Sequence, residues 1–394
     1  MSSDAPFEVA IAGGAVVGAA LARSLRGARV ALISPQRRTG PSVATGFDAR
    51  VYAVSPANAA YLAQLGAWDS IAEARRTPVY AMRVHGDDGV SRIEFDAYRS
   101  GCRELAWIVE DGWLQDALWR GLEGQDGLTI FGNSPLQDLE LAASGARLCL
   151  QDGRRLDAQL VVGADGARSL VRVQAGIGAE EFAYGQSAVV ANFACTRPHR
   201  NVAFQWFQGA EKGGAVLALL PLAGDHVSMV WSVSDAEAAR LLALDPETLA
   251  AEVAIASQGA LGELALVTAQ RGLALQRLVA GRLVAPRVAL AGDAAHVIHP
   301  LAGQGANLGM QDARVLAKVL KEREPGRDPG DLRLLRRYER ARAEDILAMR
   351  VAVHGLFRLF RAGGRSVSRL RNSGLNLADR MPVLKNLLMR QAMG

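Results

Sequence analysis

ALAGDAAHVIHPLAGQGANLG, residues Ala289–Gly309, is the stretch whose reading decides the fold. The apolar run Val288–Ala291 reads as a buried strand, and Gly292-Asp293 stands at its end. His296 and His299 flank a loop that closes on Pro300. Gly303-Gln304-Gly305 then leads into a helix over Ala306–Leu316. The first turn of a helix has backbone N–H groups without partners and a partial positive charge. A glycine-rich turn feeding such a helix favours an anionic group, with Asn307 as an added donor. The pieces are long and ordered, and chance explains them poorly.

The same grammar opens the chain. Phe7–Ala12 reads as a buried strand, Gly13–Gly18 as a tight turn, Val16–Leu25 as a helix and Arg29–Ile33 as a second strand. This is the βαβ start of a nucleotide-binding domain. The dinucleotide fingerprint asks for glycine at three positions, occupied here by Gly13, Ala15 and Gly18. Gly13 permits the turn, and Gly18 permits close helix packing. The middle position, where the backbone approaches a pyrophosphate, carries a methyl group. The second strand should end on an acidic side chain that grips ribose hydroxyls; it ends on Ser34. Losing one charge-assisted bond without replacement removes about 1.5–3 kcal/mol, tenfold or more in affinity. A third motif, LVVGADGARSLVR at Leu160–Arg172, delivers Asp165-Gly166 into a turn after a strand. Asp165 can accept from a ribose or ribityl hydroxyl, while Arg168 and Arg172 either meet a phosphate or hold the turn.

Bulk properties set the frame. The 394 residues are half hydrophobic, enough for two intimately joined domains, and the 41 glycines favour many strand-to-helix turns over a bundle. A net charge of +5 with no basic patch among aromatics does not point to nucleic acid. From Arg358 onward eight Lys or Arg face only Asp379, a basic region suited to an anionic membrane surface or an acidic partner. Cys102, Cys149 and Cys195 have no metal spacing, so no metal site is expected, and the sparse set fits a reducing compartment. The N-terminus lacks a basic n-region before an apolar stretch, and no apolar run spans a bilayer. The expected location is cytoplasmic, peripheral to the inner membrane.

Between the motifs, Asp48–Leu65 reads as a loop entering a helix signalled by Ser55-Pro56. Tyr80–Phe95 reads as a hairpin, Leu114–Leu122 as a helix, Gly185–Val233 as a substrate-domain sheet and Asp235–Gly262 as helical. A charged Pro/Gly-rich linker, Glu322–Asp331, precedes an Arg-rich helical remainder. The expected class is α/β: a Rossmann-like nucleotide-binding domain, an inserted substrate-binding β-sheet domain and a C-terminal helical region. The expected boundaries are 1–75, 101–178 and 276–325 for the first, 76–100 and 179–275 for the second, and 326–394 for the third.

The GADGARS turn and GDAAHVIHPLAGQGANLGMQDA resemble the group A flavoprotein monooxygenases of the para-hydroxybenzoate hydroxylase-like fold. Asp48–Trp68, WIVEDGWLQDAL at Trp107–Leu118 and the ending LRNSGLNLADRMPVLKNLLMRQAMG are similar to segments of ubiquinone-biosynthesis hydroxylases. The resemblance covers essentially the whole chain. It implies FAD, NAD(P)H as a transient reductant and O2 as co-substrate, with a polyprenylated phenol or quinol hydroxylated through a flavin C4a-hydroperoxide. By position it implies Gly13, Ala15, Gly18 and Ser34 at the ADP half and Arg50 near the pyrophosphate. Asp165 and Asp293 fall near the ribityl chain and pyrophosphate, and Gly303, Gly305, Ala306 and Asn307 at the isoalloxazine; Val16, Gly292 and Pro300 complete the set. The family usually has Asn where this chain has Asp111. Ala15, Ser34 and Asp111 all fall on the adenosine and phosphate side, which predicts weakened FAD binding. The alternative is a paralogue serving as a structural or lipid-presenting subunit of a quinone-biosynthesis complex, docked there or on a membrane by its basic C-terminal region. Catalysis is the flavin's; His296 and His299 either act as acid–base groups or, as histidines in such loops more often do, fix backbone. Phe193, Phe204, Trp206, Phe207 and Trp231 either wall a prenyl pocket or form ordinary core.

Overall fold

The computed structural model describes residues 5–35, 46–209, 213–298 and 305–361, with side chains to Met349. Its helices are α1 (Val16–Ser24), α2 (Pro56–Gln64), α3 (Asp111–Arg120), α4 (Leu170–Gln174), α5 (Asp235–Leu242), α6 (Pro246–Ala256), α7 (Gly305–Lys321) and α8 (Leu332–Arg361). Three sheets accompany them among the described residues.

The first sheet has five parallel strands in the spatial order Val288–Leu290, Arg155–Gly163, Phe7–Ala12, Val30–Ser34 and Leu128–Gly132. Its central strands are apolar on both faces, and Val9–Ala12 and Val30–Ser34 are buried throughout. That is the pattern of a parallel sheet covered on both sides. Helices α1 and α7 pack on each other against it. Parallel strands joined by crossovers end on the same edge, so the turns after Ala12, Ser34, Gly163 and Leu290 gather there. Ligands of open α/β sheets bind at this edge.

The second sheet is largely antiparallel and includes the hairpin Ala81–His85 and Arg92–Asp96 with the long strand Ala179–Cys195. Its side chains alternate between faces. Val189, Ala191, Phe193, Trp206, Met229 and Trp231 pack into a core with Leu241 of α5 and Leu249 and Val253 of α6. Ala188, Val190 and Val230 point the other way, toward the first sheet. The third sheet, Val51–Val54 with Ala106–Glu110 and Arg76–Val79, bridges the two.

Three expectations are corrected. The Asp48–Leu65 segment contains the strand Val51–Val54; its partner Ala106–Glu110 is remote in sequence, which local periodicity cannot show. Ser55 does cap α2, accepting from Asn58 N at 3.4 Å, with Pro56 in the first turn. Helix α3 starts at Asp111 rather than Leu114, because the strand ending at Glu110 turns straight into it, with Asp111 favourable in the first turn. Asp235–Gly262 is two helices, because Asp245 caps a new one by accepting from Thr248 N at 2.9 Å and Pro246 begins it. No helix among the described residues is long and apolar enough to cross a membrane.

Candidate functional site

A cleft of about 700 Å³ lies between the turn edge of the first sheet and the open face of the second. Of the residues expected at a cofactor, Gly13, Ala15, Val16, Ser34, Arg50, Asp165, Asp293, Gly305 and Ala306 line it. Gly18, Gly292 and Asn307 do not. His299, Pro300 and Gly303 lie outside the described residues.

The first turn is held by packing. Gly13 donates its N–H to Ile33 O at 2.8 Å and has φ +108°, and a Cβ there would stand 2.1 Å from Ala164 O. A Cβ on Gly18 would stand 1.8 Å from Gly13 O. Ala15 is the N-cap of α1, with its methyl exposed in the cleft; no side chain caps the helix and no acid sits in its first turn. The open N–H groups and the helix dipole therefore face the cleft. The sequence reading missed Trp119. Its buried indole N–H donates to Gly14 O at 2.8 Å, and its ring and Ser34 close on the α-carbon of Gly14. In sequence it is one apolar residue of an amphipathic helix, with nothing to separate it from core.

Arg50 enters the cleft from a tightly anchored segment. Asp48 Oδ1 accepts from Arg50 N at 3.0 Å, Asp48 Oδ2 accepts from Gly112 N at 3.2 Å, and Asp48 N donates to Glu110 at 2.7 Å. Asn192 of the second sheet donates to Asp48 O at 2.8 Å. Burial opposes the charge on Arg50, but Tyr52, Asp111, Asp293 and Asp48 outweigh it and hold its pKa above the ordinary value. Its guanidinium lies 5.3 Å from the Tyr52 ring centre. Asp111 is buried and bonded to Gln115 Nε2 at 2.6 Å and to the Tyr52 side chain. Its carboxylate does not line the cleft; Gln115 does. Burial raises the pKa of Asp293 despite Arg50 and His296.

Asp165 carries the clearest unmet demand. Its Oδ2 accepts from Val171 N at 3.2 Å, while its Oδ1 is buried without a partner. A buried lone acceptor beside a cleft calls for a ligand hydroxyl or a water. Arg168 is exposed in the cleft, whereas Arg172 holds the turn through Ala294 O at 3.0 Å and Ala167 O at 2.8 Å. The expected donor Asn307 is turned to another task. Its Nδ2 donates to Ala53 O at 2.8 Å, and its Oδ1 accepts from Ser55 N at 3.0 Å and Asn58 Nδ2 at 2.9 Å. His296 is 2% exposed and its Nε2 bonds Asp312 Oδ2 at 2.6 Å, so its ring is not in the cleft as an acid–base candidate should be. Burial pushes the Asp312 carboxyl up, but His296 and Arg342 more than reverse this and hold it below the ordinary range.

The second sheet contributes Ala188, Val190, Val230, Leu273 and Leu275, an apolar wall opposite the polar turns. The five aromatics considered for a prenyl pocket are elsewhere. Phe193, Phe204, Trp206 and Trp231 belong to the core with α5 and α6, and Phe207 packs with Val84, Ile93 and Val216.

A protein family described as "FAD binding domain" matches residues 6–350. The chain is 35% identical to ubiquinone hydroxylase UbiL of Rhodospirillum rubrum over 396 aligned positions, covering 100% of this chain and 91% of that protein. It is 34% identical to the 3-demethoxyubiquinol 3-hydroxylase of Escherichia coli over 393 positions, covering 99% of each. Among solved structures it is similar to p-nitrophenol 4-monooxygenase PnpA of Pseudomonas putida, with a TM-score of 0.79 and 19% identity over 99% of this chain and 98% of that one, a likeness of fold.

Proposed function

The chain belongs to the FAD-dependent hydroxylase family of ubiquinone biosynthesis, and on that premise we propose that its cleft seats FAD along the first sheet and the aromatic ring of a ubiquinone precursor against the second. The observation that carries the seating is the partnerless Asp165 Oδ1, beside an uncapped helix N-terminus in one cleft. FAD, when bound, supplies the redox chemistry: NAD(P)H gives two electrons, one oxygen of O2 enters the ring and the other leaves as water.

The protein's share is binding, orientation and exclusion of water. Ala15 and Val16, at the open first turn of α1, receive the pyrophosphate, and Gly13 and Gly18 give that turn its shape. Arg50, whose pKa Tyr52 and the nearby carboxylates hold above the ordinary value despite burial, pairs with phosphate. Ser34 meets the adenosine ribose, and Asp165 Oδ1 accepts from a ribityl or ribose hydroxyl. Asp293, on the turn that Gly292 permits, faces the same stretch of cofactor. Gly305 and Ala306, at the start of α7, stabilise negative charge at the ring end; Pro300 and Gly303 complete this proposed set, while Asn307 ties the start of α7 to Ala53, Ser55 and Asn58. Val190, Val230, Leu273 and Leu275 keep water from the reacting ring and give a prenylated phenol or quinol an apolar face. The proposed division assigns the hairpin 76–100 and the sheet 179–275 to the substrate side and the segments 1–75, 101–178 and 276–325 to the cofactor side. The basic region beyond Arg358 would meet a membrane surface; vesicles containing anionic lipid should sediment the full chain and leave a chain truncated after Arg361 in solution.

Two experiments test this reading. Purified protein titrated with FAD should acquire a flavin spectrum and then oxidise NADH or NADPH. A chain that stays colourless and binds no added FAD would favour the structural-subunit alternative. Ala15→Gly with Ser34→Glu should tighten FAD by about tenfold or more, since it restores close backbone approach and a charge-assisted bond. An unchanged Kd would mean that the adenosine end lies elsewhere.

A further inference from the structure

Behind the cleft, on the side away from any proposed ligand, lies an ionic cluster whose centre, Asp312, His296 and Arg342, is buried and whose outer member, Asp345, is exposed. Asp312, in α7, is 0% exposed and uses both carboxylate oxygens. Its Oδ2 accepts from Gly292 N at 2.9 Å and bonds His296 Nε2 at 2.6 Å. Its Oδ1 accepts from Arg342 Nε of α8 at 2.8 Å. Arg342 is 1% exposed, donates to Leu308 O at 3.3 Å and pairs with Asp345 at 2.5 Å. One turn earlier in α8, the buried Tyr338 hydroxyl donates to Leu290 O at 2.8 Å.

We propose that Asp312 and Arg342 are positioning residues for the cleft-facing segment 292–298, so that α8, none of whose described side chains lines the cleft, is a working part of the site. The proposal rests on the flavin reading for what the cleft holds, but its geometry does not.

A buried ion pair is a poor way to gain stability, because packed apolar side chains do as well without desolvating two charges. What it adds is direction. Charge-assisted bonds are short and fix the angle at which their partners sit. Here the partners are the backbone N–H of Gly292 and the ring of His296. Between them lies Asp293, and directly after His296 come Val297 and Ile298; all three line the cleft. Arg172 fixes the same turn from the other side, through Ala294 O. The N-terminus of α7, Gly305 and Ala306, lines the cleft as well. One rigid helix thus carries both a cleft-lining end and the carboxylate that orients the opposing turn. Arg342 holds that carboxylate in place, as outer groups hold inner ones in built sites. An apolar side chain at 342 could pack α8 against α7 but could not orient Asp312.

The test uses the full chain and three variants. Arg342→Gln removes the charge, and Arg342→Lys keeps the charge but loses the Nε donor. Leu335→Ala, at a fully buried α8 position outside the cluster, is the packing control. Amide hydrogen exchange of residues 292–298 is read first, without any ligand. Arg342→Gln should speed it by about tenfold or more, and Arg342→Lys should recover part of the protection. Leu335→Ala should lower Tm at least as far, yet leave exchange in that segment within about twofold. In the FAD titration, Arg342→Gln should weaken binding by about tenfold, with the bound flavin spectrum altered, while Leu335→Ala binds as the parent does. Parent-like exchange in Arg342→Gln, or equal loosening in Leu335→Ala, overturns the proposal. If Arg342→Gln does not fold, Arg342→Lys carries the comparison. If the parent binds no FAD, the flavin reading fails while the ligand-free exchange still judges the cluster.

Discussion

Asp312→Ala should destabilise the chain by about 3–5 kcal/mol, because it leaves Arg342 charged and buried with only the exposed Asp345 as its ionic partner. It also strips the Gly292 N–H and His296 of their acceptor. Urea unfolding at neutral pH reads the loss, and a change under about 1 kcal/mol would mean that the site relaxes or admits water. The pH dependence has a definite sign. The native Asp312 carboxyl is held below its ordinary value, because His296 and Arg342 outweigh burial. A carboxyl lowered in this way contributes stability that is fully present above its unfolded pKa of about 4 and is lost as pH falls through the native value. The stability gap between the parent and Asp312→Asn should therefore be widest near neutrality and should narrow from about pH 4 downward. A gap that stayed constant to about pH 2 would show that the native Asp312 carboxyl is not held below its unfolded pKa.

Gly18→Val should be nearly as damaging and should also remove cofactor binding. A Cβ at this position would lie 1.8 Å from Gly13 O, a backbone atom that cannot swing aside. Relief requires α1 to lift from the strand Phe7–Ala12, which disturbs the packing of α1 on α7 and opens the turn that faces the cleft. The expected loss is about 3 kcal/mol or more, at the upper end for overpacking, with FAD affinity down by at least about a hundredfold. Thermal melts and an FAD titration check both parts. Near-parent binding would show that the α1 turn is not the pyrophosphate seat.

Those predictions also show what was legible in the chain. The βαβ opening, the GADGARS turn and the strand at Val288 could be read because their signals are local: apolar runs ended by glycine, with a helix following. The cap at Ser55 was local too. The break at Asp245-Pro246 was equally local, but it was hidden inside a long helical pattern. By contrast, the strand Val51–Val54 exists because Ala106–Glu110 pairs with it, and no pattern within its four residues demands that. Asn307 looked like a ligand donor because it sits at a helix start beside glycines. Its amide instead joins α7 to Ala53, Ser55 and Asn58. Of the five aromatics that suggested a lipid wall, the four on the second sheet's helix-covered face are core. The smaller Val190, Val230, Leu273 and Leu275 line the cleft.

By itself the sequence determined the class of fold, the family and the identity of the turns that meet at the cleft. The family rests on the resemblance of whole motifs, and the fold class and the turns rest on short-range chemistry: strand periodicity, glycine at turns and the open N–H groups of a first helical turn. Only the tertiary structure decided which members of a motif face the ligand. The opening fingerprint gives Gly13, Ala15 and Gly18 separate roles, but it does not show how much room a side chain has at each. The methyl of Ala15 projects into open cleft, while a methyl at Gly18 would meet a backbone oxygen at 1.8 Å. Asp165, Asp293 and Asp312 are likewise three carboxylates near glycine turns. Packing leaves one oxygen of Asp165 unmet beside the cleft, lets Asp293 line it, and spends both oxygens of Asp312 on Gly292, His296 and a helix 30 residues further on. Such assignments depend on which surfaces meet across the fold, and adjacency along the chain carries no record of that.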